Sequence, residues 1–211
     1  MYLYKMQLDK LSAQAVESLT DCFTDLPSTD HIDGQYRLRR YSKVRMNRET
    51  MVYDLMEGDT FTQSSKYNKF QGDIPRRFES IDDKTLKSYG VWELCGRLLD
   101  SFRFQIDQLI EIHQMRVISL DGTLTPVSPE GVHQDGYDAI CIACLGRHNV
   151  SGGHILLYKE EKGTPICDFP LDIGEIAFIN DRDMWHNASP IAPVDPTLEA
   201  HADFFILTAK N

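Results

Sequence analysis

Several things are scarce in this 211-residue sequence, and each scarcity removes a class of function. No apolar run approaches the roughly 18 residues that a membrane-spanning helix needs, so no membrane partner is expected. The opening Met1-Tyr-Leu-Tyr-Lys-Met-Gln-Leu-Asp9 has no apolar h-region, so no signal peptide is expected and the setting reads as cytoplasmic. Cysteine is sparse and odd in number: Cys22, Cys95, Cys141, Cys144 and Cys167. That count predicts free thiols and no disulfide framework. Positive charge is short too: the formal net charge is -10, which disfavours a nucleic-acid binder because phosphate contacts need a basic surface. There is no repeat, low-complexity tract or linker-like stretch, and the length suits one core, hence a single domain over residues 1–211. Nothing in the sequence fixes an oligomeric state.

What is present divides into a helical front and a strand-rich back. Val16, Leu19, Phe23 and Leu26 recur at steps of three and four, the mark of an amphipathic helix, with Ser12 as its N-cap. A second helical pattern runs through Leu86, Leu94, Leu98, Phe102, Ile106 and Leu109, capped by Asp82 or Asp83. Between them, Gln35 to Val44 alternates as a strand would, placing Arg37, Arg39 and Tyr41 on one face and Leu38 and Arg40 on the other. Residues 48–80 are polar and weakly patterned and read as a loop-rich segment that could form a lid. Strand signals then dominate: Ile112–Ile118, a turn at Asp121-Gly122, Asp138–Leu145, His154–Tyr158, Glu175–Ile179 and Asp203–Thr208, punctuated by glycines. The pattern predicts an α+β fold: a jelly roll, or double-stranded β-helix, buttressed by two or more helices from the N-terminal half. Cys141-Ile-Ala-Cys144 imitates a metal motif, but positions i and i+3 of a strand face opposite ways, so these read as two core cysteines.

The chemistry-bearing segment is Gly131-Val-His133-Gln-Asp135-Gly136. In extended chain, residues i and i+2 share a face, so His133 and Asp135 would present an imidazole and a carboxylate side by side. A third ligand, His186, lies about fifty residues on, in Trp185-His186-Asn-Ala-Ser-Pro190. Two histidines and a carboxylate form the facial triad of non-haem Fe(II) oxygenases, which leaves coordination positions open for a bidentate co-substrate and dioxygen. A closed four-ligand zinc site would leave none. Trp185 reads as a core side chain, and Asp181 and Asp183 as a solvated turn.

At this point the sequence resembles the bacterial 2-oxoglutarate/Fe(II) dioxygenase family that includes L-isoleucine 4-hydroxylase and related free-amino-acid hydroxylases. The resemblance runs from about residue 34 to 208. It is carried by Arg37-Leu-Arg39-Arg-Tyr41-Ser42, Ser65-Lys-Tyr67-Asn68, Phe78-Glu-Ser80-Ile81, His113-Gln-Met-Arg116, His133-Gln-Asp135, Gly152-Gly153, His186-Asn-Ala-Ser189-Pro190 and Asp203-Phe-Phe-Ile-Leu-Thr208. It implies Fe(II) on His133, Asp135 and His186, 2-oxoglutarate as co-substrate, dioxygen, and hydroxylation of an aliphatic C–H of a free amino acid or similar small molecule. Arg37, Arg39 and Tyr41 are then the expected substrate contacts, because an arginine fork suits a carboxylate. The sequence departs from the family at one position. The arginine expected just before Asp203, to hold the distal carboxylate of 2-oxoglutarate, is Ala202. Leaving such a buried charge unpaired costs about 3–5 kcal/mol. Arg116, an arginine of the Arg37 strand, or His201 are the expected replacements. The alternatives are another co-substrate, another oxidative outcome, or a non-catalytic jelly roll that binds a metal or metabolite.

Overall fold

The computed structural model describes residues 5–119 and 123–210. The expected turn at Asp121-Gly122 lies outside them. In chain order the elements are β1 (Met6–Lys10), α1 (Ala13–Leu19), β2 (Arg37–Met46), β3 (Tyr53–Met56), β4 (Thr60–Phe61), β5 (Arg76–Arg77), α2 (Asp83–Leu86), α3 (Tyr89–Ser101), β6 (Gln108–Ile118), β7 (Ala139–His148), β8 (Val150–Gly152), β9 (Ile155–Tyr158), β10 (Cys167–Phe169), β11 (Glu175–Asn180), β12 (Trp185–Ala188), β13 (Ile191–Pro193) and β14 (His201–Ala209).

The major sheet is antiparallel, in the order β1-β11-β7-β14-β6-β2-β3. The opposing layer is built from short pieces: β10-β9-β12, β13-β8, and isolated bridges of Thr125 to Ile191 and of His133 to His186. This is the expected jelly roll with helical buttresses. The strand alternation sorts residues onto two faces of the major sheet. One face packs on α1 and α3 through residues such as Leu94, Leu98, Ile112, Cys141 and Phe205. The other closes on the minor layer through Met115, Val117, Ile140, Cys144, Ala202 and Phe204. Cys141 and Cys144 thus fall in different cores, as the period of two requires. All five cysteines are free.

The helices are shorter than the sequence pattern suggests. Ser12 does cap α1, its hydroxyl accepting from the Ala15 N–H, but the helix stops at Leu19. Phe23 and Leu26 are buried from the turns that follow. The second pattern is broken between Leu86 and Tyr89, where Ser88 starts a new helix by accepting from the Val91 N–H. It ends at Ser101, and Arg103 follows in the left-handed region at φ 54°. Ile106 lies beyond it and is exposed, and Leu109 already belongs to β6. Apolar side chains continued across a turn mimic one long helix when only spacing is read. Among the described residues, no helix is long and apolar enough to cross a membrane.

Candidate metal centre and cavity

The minor layer places the metal candidates. His133 and His186 exchange two backbone hydrogen bonds, each 2.9 Å, so they sit directly opposite one another and their rings share a face at 4.2 Å between centroids. Two residues beyond His133, Asp135 turns inward. Its Oδ1 is 3.3 Å from His133 Nε2 and its Oδ2 is 3.6 Å from His186 Nε2. One donor atom from each of the three lies within 4.8 Å of the others, and the three form a possible iron site.

The surroundings fit a divalent cation. The His133 Nδ1 is hydrogen-bonded to the Gly131 carbonyl at 2.8 Å, which turns Nε2 toward the centre. Burial alone would lower the His133 pKa, but the hydrogen bond and charge of Asp135, with Glu130, push it up to about 9. Burial would raise the Asp135 carboxyl, yet the two imidazoles hold it well below the usual carboxylate range. Two imidazoles and one carboxylate gathered in a buried pocket are a donor set short of a closed shell, which suits Fe(II) with open positions. When bound, iron supplies activation of dioxygen. The chain's own groups fix the ligands and exclude water.

Asp181 corrects the sequence reading. It is not part of a solvated turn: it is 1 % exposed. Its carboxylate accepts from the backbone N–H groups of Asp135, Gly136 and Tyr137 at 3.0, 2.7 and 3.0 Å. Its Oδ1 is also 3.6 Å from His186 Nδ1. One side chain therefore ties the Asp135 segment to the turn before β12. Asp183, by contrast, is exposed. Trp185 is not a core residue: it is half-buried in a surface groove with Tyr67 and Gln134.

The cavity leading to the three ligands runs along the inner face of the major sheet. Its walls include Arg37, Arg39, Arg76, His113, Glu130 and Phe204. Arg37 and Arg39 enter from β2 with the expected parity, while Leu38 packs on the helix side and Arg40 turns out to Asp25 and Glu79. Arg37 is paired with Asp33 at 2.7 Å. Arg39 has no carboxylate partner among the described residues; its closest polar contact is the Met115 sulfur at 3.2 Å. Burial, then the charge of Arg37, holds its guanidinium below the ordinary value. Tyr41 does not line the cavity. Its hydroxyl donates to Glu111 at 2.6 Å, and its ring packs on His113 and Phe61.

The segment 48–80 carries functional side chains that its pattern did not reveal. Gln63 donates to Asp135 Oδ1 at 2.8 Å. Its own carbonyl accepts from Asn68 and Arg76. Arg76 and Phe61 line the cavity from the same segment. The expected replacements for the missing arginine are corrected as well. Arg116 forms a two-bond ion pair with Asp203, both at 2.7 Å. It alternates with Met115 and Val117 on β6 and so faces away from the cavity. His201 stacks on His148 beside Asp203 on that same outer side and does not line the cavity.

Comparison with known proteins joins this geometry to a family. A model of the 2OG-Fe dioxygenase family matches residues 20–208. The chain belongs to the 2OG-Fe dioxygenase family. Membership implies Fe(II) and 2-oxoglutarate as cofactors, and dioxygen and a small molecule as substrates. No curated protein matches. Among solved structures, a bsmA homolog from Methylobium petroleophilum PM1 superposes with a TM-score of 0.80 at 23% identity, covering 93% of this chain and 81% of its own. IDO from Bacillus thuringiensis gives 0.77 at 17% identity, covering 98% and 89%. The Fe(II)/(alpha)ketoglutarate-dependent dioxygenase TqaL gives 0.72 at 14% identity, covering 98% and 82%. At these identities the likeness is one of fold.

Proposed function

We propose that this dioxygenase hydroxylates an aliphatic C–H of a free amino acid, using 2-oxoglutarate and Fe(II) held by His133, Asp135 and His186. The observation that carries the amino-acid class is a pair of opposite charges in one cavity, Arg39 and Glu130, neither of which has a close hydrogen bond to a group of opposite charge. Arg39 is buried without an acidic partner. Glu130, on the same walls, has a buried Oε2 that accepts no hydrogen bond and lies 3.8 Å from Arg37 Nη1. A zwitterion satisfies both: its carboxylate takes the arginine fork and its ammonium takes the glutamate. Arg37 lines the cavity from the same face of β2, two residues before Arg39, and Tyr41 packs behind them against His113 and Phe61. His113 is fully enclosed and, by burial and then the charges of Arg39 and Arg76, is held well below its ordinary pKa. It is a neutral imidazole at physiological pH, with an Nδ1 that has no partner. The proposed setting is a reducing cytoplasm, in keeping with five free thiols.

The test is a panel of amino acids incubated with Fe(II), 2-oxoglutarate and air, read by product mass and succinate. The expected result is a gain of one oxygen on a free amino acid and none on its methyl ester or N-acetyl derivative. Arg39→Met should raise KM about tenfold or more, from loss of a charge-assisted hydrogen bond. Turnover that is indifferent to blocking both ends of the amino acid would contradict the assignment.

A further inference from the structure

Arg147 lies at the end of β7, on the strand beside the one that carries Ala202. In the antiparallel register Ala202 is paired with Arg147, so the two side chains leave the sheet on the same face. Ala202 belongs to the core between the two sheets, so Arg147 leaves the major sheet on the cavity side, behind the lining residue Gly153. The row continues across the sheet as Arg147, Ala202, Val117 and Arg37. Arg37 is engaged with Asp33, whereas Arg147 has no carboxylate within 4.0 Å among the described residues. One arm of its guanidinium donates to the Gly152 carbonyl at 2.6 Å. The other, Nη1, is buried and has no partner.

The glycine pair Gly152-Gly153 makes room for this arm. Both have positive φ, 77° and 68°, and a Cβ on Gly153 would stand 3.4 Å from Arg147 Nη1. Gly153 itself lines the cavity. It is hydrogen-bonded to the Pro190 carbonyl, four residues along the chain from His186. The cavity that holds the three metal ligands thus reaches Gly153, beside the unpartnered arm of Arg147, and a dicarboxylate bound through its oxo-acid end at the metal would bring a second carboxylate toward that arm.

We propose that Arg147 holds the distal carboxylate of the 2-oxo acid, the cation having moved one strand sideways from position 202 to position 147. This rests on the 2-oxoglutarate reading of the cavity. It does not depend on which amino acid is oxidised.

The experiment loads the full chain with Mn(II) and titrates 2-oxoglutarate and pyruvate separately by calorimetry. Pyruvate has the metal-binding end of the co-substrate and no distal carboxylate. Arg147→Met should weaken 2-oxoglutarate by about 30-fold or more, the scale of one lost buried charge pair. It should leave Mn(II) and pyruvate binding within about twofold. The double variant Arg147→Met with Ala202→Arg should regain most of the loss, because the guanidinium returns to the same row. Undiminished 2-oxoglutarate binding by Arg147→Met overturns the proposal. So does a loss seen in Arg39→Met but not in Arg147→Met, which would make Arg39 the anchor. Wild-type protein that takes up Mn(II) but neither oxo acid overturns the co-substrate reading, and the anchor with it.

Discussion

Three backbone N–H groups converge on the carboxylate of Asp181, and they belong to the ligand Asp135 and the two residues that follow it. Charge-assisted bonds of this kind are roughly twice as strong as neutral ones. Removing the acceptor leaves buried donors unpaired. Asp181→Ala is expected to cost about 2–4 kcal/mol in denaturant unfolding. It should also lower metal affinity by about 10- to 100-fold, as loss of a group that orients ligands does. Asp181→Asn keeps one acceptor and should fall between. Metal affinity unchanged in the alanine variant would show that Asp181 serves only the fold. Asp33 makes a pH prediction at the same scale. Burial would raise its pKa, but Arg37, Arg39 and Gln71 hold it below the ordinary value. A depressed carboxylate contributes stability that is fully present above the unfolded pKa of about 3.9 and is lost as pH falls through the folded value. Asp33→Asn should therefore be less stable than the parent at pH 7, and the gap should close in urea melts as pH drops below about 4.

Among the elements, the turn between β8 and β9 sets two limits on its backbone at one residue, Gly152. Gly152 has φ 77°, and a Cβ there would come within 2.1 Å of the Pro190 carbonyl. Gly152→Ala combines a left-handed conformation with a backbone clash, and about 2 kcal/mol or more of destabilisation is expected. The same change should loosen Arg147, whose guanidinium donates to the Gly152 carbonyl. Thermal unfolding that matches the parent would contradict the close approach. The element scale is also where sequence reading was strongest. Alternation placed β7, β9, β11 and β14 to within three residues at their ends, while β6 starts four residues earlier than expected, at Gln108; the parity of Arg37 and Arg39 followed from alternation too. The helix from residue 86 onward was misjudged, since spacing does not record the break that the Ser88 cap makes.

At the scale of the molecule, the site joins segments far apart in the chain. His133, Asp135 and His186 were legible because their residue types and spacing are unusual together. Gln63, Arg76 and Asp181 were not, because each acts through a partner that no local pattern reveals. Gln63 reaches Asp135 across 72 residues, and Asp181 reaches the same residue across 46. Arg147 meets Ala202 only through sheet register. A centre assembled this way should couple metal to folding. The metal relieves three converging donor groups only in the folded chain, so divalent cation at about 100 times its Kd is expected to add about 2.7 kcal/mol to unfolding free energy. A chelator should reverse that gain. Stability indifferent to Mn(II) would mean that the three ligands do not act together.

One cavity, lined by His133, Asp135 and His186, is expected to hold Fe(II) and to take a 2-oxo acid onto it. The most direct measurement is an anaerobic titration of 2-oxoglutarate into the Fe(II)-loaded protein, watched for the weak visible absorption of a chelated 2-oxo acid. A saturable band is expected in the parent and none in His133→Ala. One equivalent of bound iron with no band at any 2-oxoglutarate concentration would contradict it.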